Sequence, residues 1–137
     1  MNNQELGRSL EEKVCALLRG ANYWVKFMNP NKDGSQPCDI LAIRGSTAPW
    51  APAPLKVIAI DCKTNKGKRF DLKRIEDNQE TSLTYMNKRG IFQTYFLIEN
   101  EEGMFLHNSQ ELIRWKRGGI KSVEVNKGVP FQQSLCL

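Results

Sequence analysis

Two short apolar runs in this sequence each carry an acid where a strand would meet its loop. The first is Pro37-Cys38-Asp39-Ile40-Leu41-Ala42-Ile43, and the second is Val57-Ile58-Ala59-Ile60-Asp61-Cys62-Lys63. Strand side chains alternate between faces, so Asp61 and Lys63 project from one side and Cys62 from the other. If the runs pair, Asp39 comes beside Asp61. Carboxylates that close repel one another, and burying them is costly unless a cation lies between them. Hard oxygen ligands suit Mg²⁺ or Mn²⁺. A lysine beside such a site holds an anionic phosphate or an attacking hydroxide. Together these groups would hydrolyse phosphodiester bonds. Acids at strand ends are common and D-x-K is a short pattern, so the remaining evidence must come from the elements around them.

The composition sets bounds. A chain of 137 residues is expected to form one domain with an adequate core. Its 40% hydrophobic and 26% charged residues are ordinary for a globule, and the net charge of +5 favours an anionic partner. No apolar run is long enough to span a membrane. Residues 1–5 lack the basic stretch and apolar core of a signal peptide, so a cytoplasmic chain with no membrane partner is expected. Cys15, Cys38, Cys62 and Cys136 include no C-x-x-C pair, and a single histidine cannot complete an ordinary zinc set. Reduced, mostly buried thiols are expected, with a Cys38–Cys62 disulfide not favoured.

The elements that would position the acids follow in order. Asn2 or Asn3 caps a first helix running to about residue 19, with Gly20 just past its end. Leu6, Leu10, Val14, Leu17 and Leu18 form its apolar stripe. Glu11 falls at the margin of that stripe. It either leans inward over the sheet or forms a rim ion pair. Gly7 is one turn earlier on the same margin, useful if a backbone or substrate approaches there. Residues 23–28 read as a strand, 29–35 as a loop and 38–44 as the second strand. Residues 45–54, with prolines at 49, 52 and 54, read as a protruding connection. Trp50 at its tip is either packed back or exposed to a partner. Residues 55–63 form the central strand, whose unbroken apolar run implies cover on both faces.

From Lys63 through Arg74 the chain holds six basic residues and one acid. Lys66, Lys68, Arg69, Lys73 and Arg74 are either a solvated face or the place where a phosphate backbone lies beside the acids. Asp71 is expected to cap a helix ending near residue 89, with Gly90 beyond. Its stripe is Leu72, Ile75, Leu83 and Met86. Gln79 falls in the middle of that face, as a satisfied core amide or as a group that orders the site. A hairpin follows, with strands at 91–98 and 104–106. His107 comes next and is read as structural. A last helix at 109–116 is capped by Asn108 with Glu111, and a second basic cluster surrounds Trp115. The tail from residue 128 reads as irregular.

The order helix, strand, strand with acid, strand with acid-x-Lys, helix, strand resembles the core of the PD-(D/E)xK nuclease superfamily. Gly7-Arg8-Ser9-Leu10-Glu11 is similar to its first-helix G-x-x-x-E. Pro37-Cys38-Asp39 resembles the PD element with one residue inserted, and Asp61-Cys62-Lys63 the (D/E)xK. Gln79-Glu80-Thr81-Ser82-Leu83 resembles the Q-x-x-x-L that often follows. Within the superfamily the chain most resembles RecU-type Holliday junction resolvases, through Phe70–Gln79, the following hairpin and Glu111-Leu112.

The resemblance implies an α/β, restriction-endonuclease-like core: a central mixed sheet flanked by helices, in one domain over residues 1–137 with a proline-rich insert at 45–54. It implies a homodimeric, divalent-metal-dependent endonuclease that cuts branched or four-way DNA. Asp39 and Asp61 would be metal ligands with the Cys62 carbonyl. Glu11 would bind the metal directly or through water, Lys63 would place the nucleophile, and Gln79 would orient the centre. Lys66, Lys68, Arg69, Lys73 and Arg74 would meet DNA. The alternatives are a flap, nicking or restriction-type nuclease, or a non-catalytic DNA-binding protein on the same fold. The family's basic arm has no counterpart in residues 1–5. Residues 20–37 are too few for its stalk, and the 45–54 insert is a candidate substitute.

Overall fold

The computed structural model describes residues 2–28, 36–45, 56–90 and 92–135. The expected loop at 29–35, nearly all of the proline-rich insert with Trp50, and Cys136 lie outside the described residues.

Helix α1 (Asn3–Gly20) opens on a full capping box. The Asn2 side chain accepts from the Glu5 N–H (2.9 Å), and Glu5 returns the contact to the Asn2 N–H (3.0 Å). Helix α1 runs through Gly20, and the left-handed residue beyond it is Asn22 (φ 74°), one of the few residue types that tolerate that region. The chain then returns as β1 (Trp24–Phe27), β2 (Ile40–Arg44) and β3 (Lys56–Thr64).

The expected helix beginning after Asp71 is not there. Residues Arg69–Asp71 form a short strand, β4. Asp71 then caps only a 3-10 turn at Leu72–Arg74, accepting from the Lys73 N–H (2.9 Å). Ile75 is extended (φ −80°, ψ 113°), and α2 begins at Asp77 and ends at Asn87. Phe70, Leu72 and Ile75 are all buried, and Phe70 lies opposite Val123 of the later strand Ser122–Glu124, so pairing with a distant segment overrides the helical stripe here. Strands β5 (Phe92–Asn100) and β6 (Gly103–Asn108) form the hairpin. Helix α3 (Ser109–Arg117) is capped by Asn108, whose side chain accepts from the Gln110 and Glu111 N–H groups.

The tail is more ordered than its sequence suggests. Strand β7 (Ser122–Glu124) pairs with β4 in a separate two-stranded sheet. A 3-10 turn at Val125–Lys127 leads to β8 (Val129–Pro130), which pairs with β6, and then to the short helix α4 (Phe131–Ser134). Phe131 is buried in the core. Gly128 is required here: a Cβ would lie 2.6 Å from His107 Nε2 and 2.7 Å from the Leu106 carbonyl oxygen. His107 itself is structural, its Nε2 donating to the Val125 carbonyl (2.8 Å). Burial lowers its pKa.

The main sheet has six strands in the order β1-β2-β3-β5-β6-β8. Among these described strands only the β3–β5 pair is parallel; the other neighbours are antiparallel. The parallel pair needs a crossover, and α2 lies on that crossover. Strand β3 is covered on both faces, as its apolar run required. Ile58 and Ile60 pack with Leu10, Val14 and Leu18 of α1. Ala59 packs on the other side with Leu83 of α2 and Leu112 of α3. Each fully buried Leu or Ile stabilises the fold by roughly 1.5–3 kcal/mol. The register therefore fixes which face each site residue takes.

Candidate active site

Ile40 lies opposite Ile60 in the β2–β3 register, so the next residue outward from each, Asp39 and Asp61, stand side by side at one end of the ladder. Backbone bonds cross between them. The Asp39 N–H donates to Asp61 Oδ1 (3.2 Å), and the Cys62 N–H donates to Asp39 Oδ2 (2.8 Å). Each carboxylate is thus held by the neighbouring strand. Asp61 is only 3% exposed. Its Oδ2 is buried and has no hydrogen-bond partner among the described residues. Burial and then the Asp39 charge push the Asp61 carboxyl well above the usual range, and burial raises Asp39. Metal-free, this pair resists holding two negative charges.

Lys63 is two residues along β3 and shares the Asp61 face, toward α2. Its ammonium donates to Gln79 Oε1 (3.0 Å) and to the Arg74 carbonyl (3.2 Å). Burial lowers its pKa, against the opposing pull of Asp61 and Asp39. Gln79, expected in the middle of a helical face, is instead in the first turn of α2, because the helix starts late. Its Oε1 also accepts from the Glu76 N–H (3.0 Å), so one oxygen both caps α2 and holds the lysine. The amide oxygen is thus satisfied, with the lysine as one of its partners.

Glu11 is half-buried on α1, which covers the opposite face of the sheet. The ion pairs described on that helix are those of its neighbours, Glu12 with Arg8 (3.9 Å) and Lys13 with Glu99 (2.7 Å). Burial, and then the Asp39 charge, push Glu11 up to about 7. Glu11 is thus partly covered and near enough to Asp39 to feel its charge. Among the described residues, no group of three or more His, Cys, Asp or Glu side chains is gathered tightly enough to hold a metal ion. The inner pair is Asp39 and Asp61, with Glu11 farther out. Cys15, Cys38 and Cys62 are free thiols.

A cleft of about 690 Å³ opens beside the lysine. Cys62 and Lys63 form one part of its wall, Lys66 and Arg74 another, and Leu6 and Gly7 of α1 a third. A Cβ at Gly7 would meet none of the described residues within 4 Å, so their packing does not demand that glycine. It borders the cleft. Of the other expected DNA contacts, Lys68 and Lys73 are exposed outside the cleft lining. Arg69 is engaged with Ser122 through Nε (2.9 Å) and with Glu124 (3.7 Å).

Three residues that hold this site together are not singled out by the sequence. Glu80 is buried on α2 and pairs with Lys116 and Arg117 of α3, fixing the helix that carries Gln79. Asn65 and Glu101 hold the loop after Lys63. The signal for Glu80 is its place on the buried arc of α2, one residue from Gln79. Nothing local marks Asn65.

The sequence matches none of the protein-family models and none of the curated proteins against which it was compared. Solved structures give a match. The fold is shared with an archaeal Holliday junction resolvase. The neighbour is Hjc from the hyperthermophile Archaeoglobus fulgidus, with a TM-score of 0.67 and 14% sequence identity. The likeness covers 94% of this chain and 99% of Hjc. At that identity it establishes the fold: a mixed sheet flanked by helices, of the restriction-endonuclease-like type shared with Hjc. The finer RecU-type resemblance rests on the sequence motifs alone.

Proposed function

We propose that this chain is a divalent-metal-dependent endonuclease that cuts branched DNA, with selectivity for four-way junctions. The observation that carries the reading is the Asp39–Asp61 pair. A buried carboxylate, Asp61, with an oxygen that has no partner among the described residues, stands next to the partly buried Asp39 and shares a strand face with a lysine that lines a cleft with Lys66 and Arg74. The donors are hard oxygens, and Mg²⁺ or Mn²⁺ fits them. Mg²⁺ is commonly held by one or two carboxylates with waters and substrate phosphates, so two acids with Glu11 behind them suffice. Asp39, Asp61 and the Cys62 carbonyl would hold the ion, and Glu11 would act directly or through water. When bound, it would activate water and stabilise the leaving oxygen. Lys63, fixed by Gln79 and Arg74, neutralises charge at the phosphate or positions the nucleophile. Lys66 and Arg74 guide the backbone into the cleft, and Lys68, Arg69 and Lys73 extend the basic strip. A homodimer would supply two centres related by a two-fold axis, suited to paired nicks.

The resemblance to RecU-type resolvases and the shared fold with Hjc support the substrate class. The test is cleavage of labelled four-way, flap and linear duplex DNA with Mg²⁺, Mn²⁺ or EDTA, alongside sedimentation of the free protein. Cutting of the junction in preference to duplex, abolished by EDTA, is expected. Equal cutting of duplex would overturn the junction selectivity. Binding with no metal-dependent cutting would leave a non-catalytic DNA-binding protein.

A further inference from the structure

The loop that follows Lys63 is built more tightly than a solvated basic stretch requires. Its centre is Asn65, whose Nδ2 lies within hydrogen-bond distance of three carbonyls, those of Lys66 (3.3 Å), Gly67 (3.1 Å) and Arg69 (3.0 Å). Its Oδ1 accepts from Arg74 Nη1 (3.1 Å), and its backbone N–H donates to the Glu99 carbonyl (2.8 Å). Gly67 is in the left-handed region (φ 85°), which a residue with a Cβ rarely adopts. Its N–H donates to the Glu101 carboxylate (3.2 and 3.3 Å), and its carbonyl also accepts from Asn100 Nδ2 (3.3 Å). The loop is pinned from within by one amide and from outside by the β5–β6 turn.

We infer that Asn65 is a positioning residue that preorganises a phosphate clamp made by Lys66 and Arg74 and couples it to Lys63. This rests on the reading of the cleft as a DNA site. Lys63, Lys66 and Arg74 all line that cleft. Arg74 is held twice over: its guanidinium is fixed by Asn65 and by the face of the Phe70 ring (5.0 Å), while its carbonyl accepts from Lys63. One uncharged side chain thus sets the relative places of two phosphate-binding cations and the lysine. A flexible basic loop would lose entropy on closing around a strand; a loop already held in place loses less. The acids of the β5–β6 turn have a matching part. Both line the cleft: Glu99 is paired with Lys13 (2.7 Å), while the Glu101 carboxylate keeps its charge and is turned onto the Gly67 N–H of the loop.

The signature is a change in salt dependence caused by an uncharged residue. Each phosphate contact contributes about one unit to the slope of log affinity against log salt. Asn65→Ala removes no charge. If it releases the clamp, the slope falls by about one to two, and the half-saturating DNA concentration rises about tenfold. The maximal cleavage rate at saturating DNA falls less than about threefold. Binding is measured in EDTA by fluorescence anisotropy, with thermal unfolding followed on the same samples. Should Asn65→Ala melt below the assay temperature, Asn100→Ala removes the other amide on the Gly67 carbonyl, again without a change of charge, and gives the same readout. Asn65→Ala combined with Arg74→Ala gives less than the product of the single effects. An unchanged slope, or single effects that multiply, would overturn the assignment, because a merely structural asparagine lowers the active fraction without altering the slope. Wild-type protein that binds DNA steeply with salt yet never cuts it would remove the nuclease reading and leave the clamp standing.

Discussion

Among the described residues two acids are buried, Glu80 and Asp61, and they are handled in opposite ways. Glu80 is enclosed between α2 and α3 and receives two cations from the protein, Lys116 and Arg117 (3.3 Å), with Lys116 also donating to the Ile75 carbonyl (2.7 Å). Asp39 and Asp61 are enclosed at the end of β2 and β3 with one half-buried lysine in their neighbourhood. That lysine donates away from the acids, to Gln79 and to the Arg74 carbonyl. The first site is electrostatically complete. The second sets two carboxylates side by side, with a lysine that bonds elsewhere, and leaves a carboxylate oxygen without a partner among the described residues. A protein that only needed stability would not retain the second arrangement, since apolar replacements of similar size usually do as well or better. The difference separates an ion pair that holds the fold from an acid pair proposed to wait for an external cation.

Substitution should separate the two sites by sign. Asp61→Asn is expected to lower metal-dependent cleavage by at least about 10³-fold, while leaving or raising the melting temperature in EDTA because it removes repulsion. Glu80→Ala should do the reverse. It strands Lys116 and costs about 3 kcal/mol of folding stability by denaturant titration, with residual cleavage by whatever remains folded. If both variants destabilise alike, the contrast fails.

The pH dependence sharpens the same comparison. Glu11 is raised to about 7 and Asp61 is raised still further, so the folded state holds protons that the unfolded chain releases near pH 4. Their contribution to stability is present in full below about pH 4 and is lost as pH rises toward 7 and 8. In EDTA the melting temperature should therefore decline across that window from these groups, and Asp61→Asn should flatten the decline. Mg²⁺ should restore the loss most at the alkaline end. Smaller again is the effect of Gln79→Ala, which frees Lys63 and one cap contact. A fall of roughly tenfold in cleavage rate is expected, with DNA affinity nearly unchanged.

Much of the site was legible because its geometry is local or follows from strand pairing. Asp61 and Lys63 share a face by alternation alone, and Asp39 follows once β2 pairs with β3. The first helix was legible from its stripe, and its cap from Asn2 and Glu5. What escaped depended on contacts between distant segments. Strand β4 exists through β7, about fifty residues later, and that pairing converts the expected start of α2 into a strand and a 3-10 turn. Glu80 lies on the buried arc of α2, but its partners Lys116 and Arg117 come from α3 and could not be paired with it from the sequence. Strand β8 has two residues and a proline, and its place is set by β6 and by the close approach that Gly128 permits. Glu11 had two readings because its helical angle is marginal, and only the packing of α1 on the sheet decides between them.

The most direct measurement is calorimetric titration of Mn²⁺ into the protein at pH 7 in buffers of different ionisation enthalpy, with Asp61→Asn as the partner experiment. The account predicts saturable binding with release of about one proton per ion, because Asp61, pushed up to about 8, gives up its proton to the cation. Asp61→Asn should abolish the binding, and Glu80→Gln should leave it intact. Absence of binding, or binding that survives Asp61→Asn with no proton released, would contradict the claim that this acid pair is a cation site.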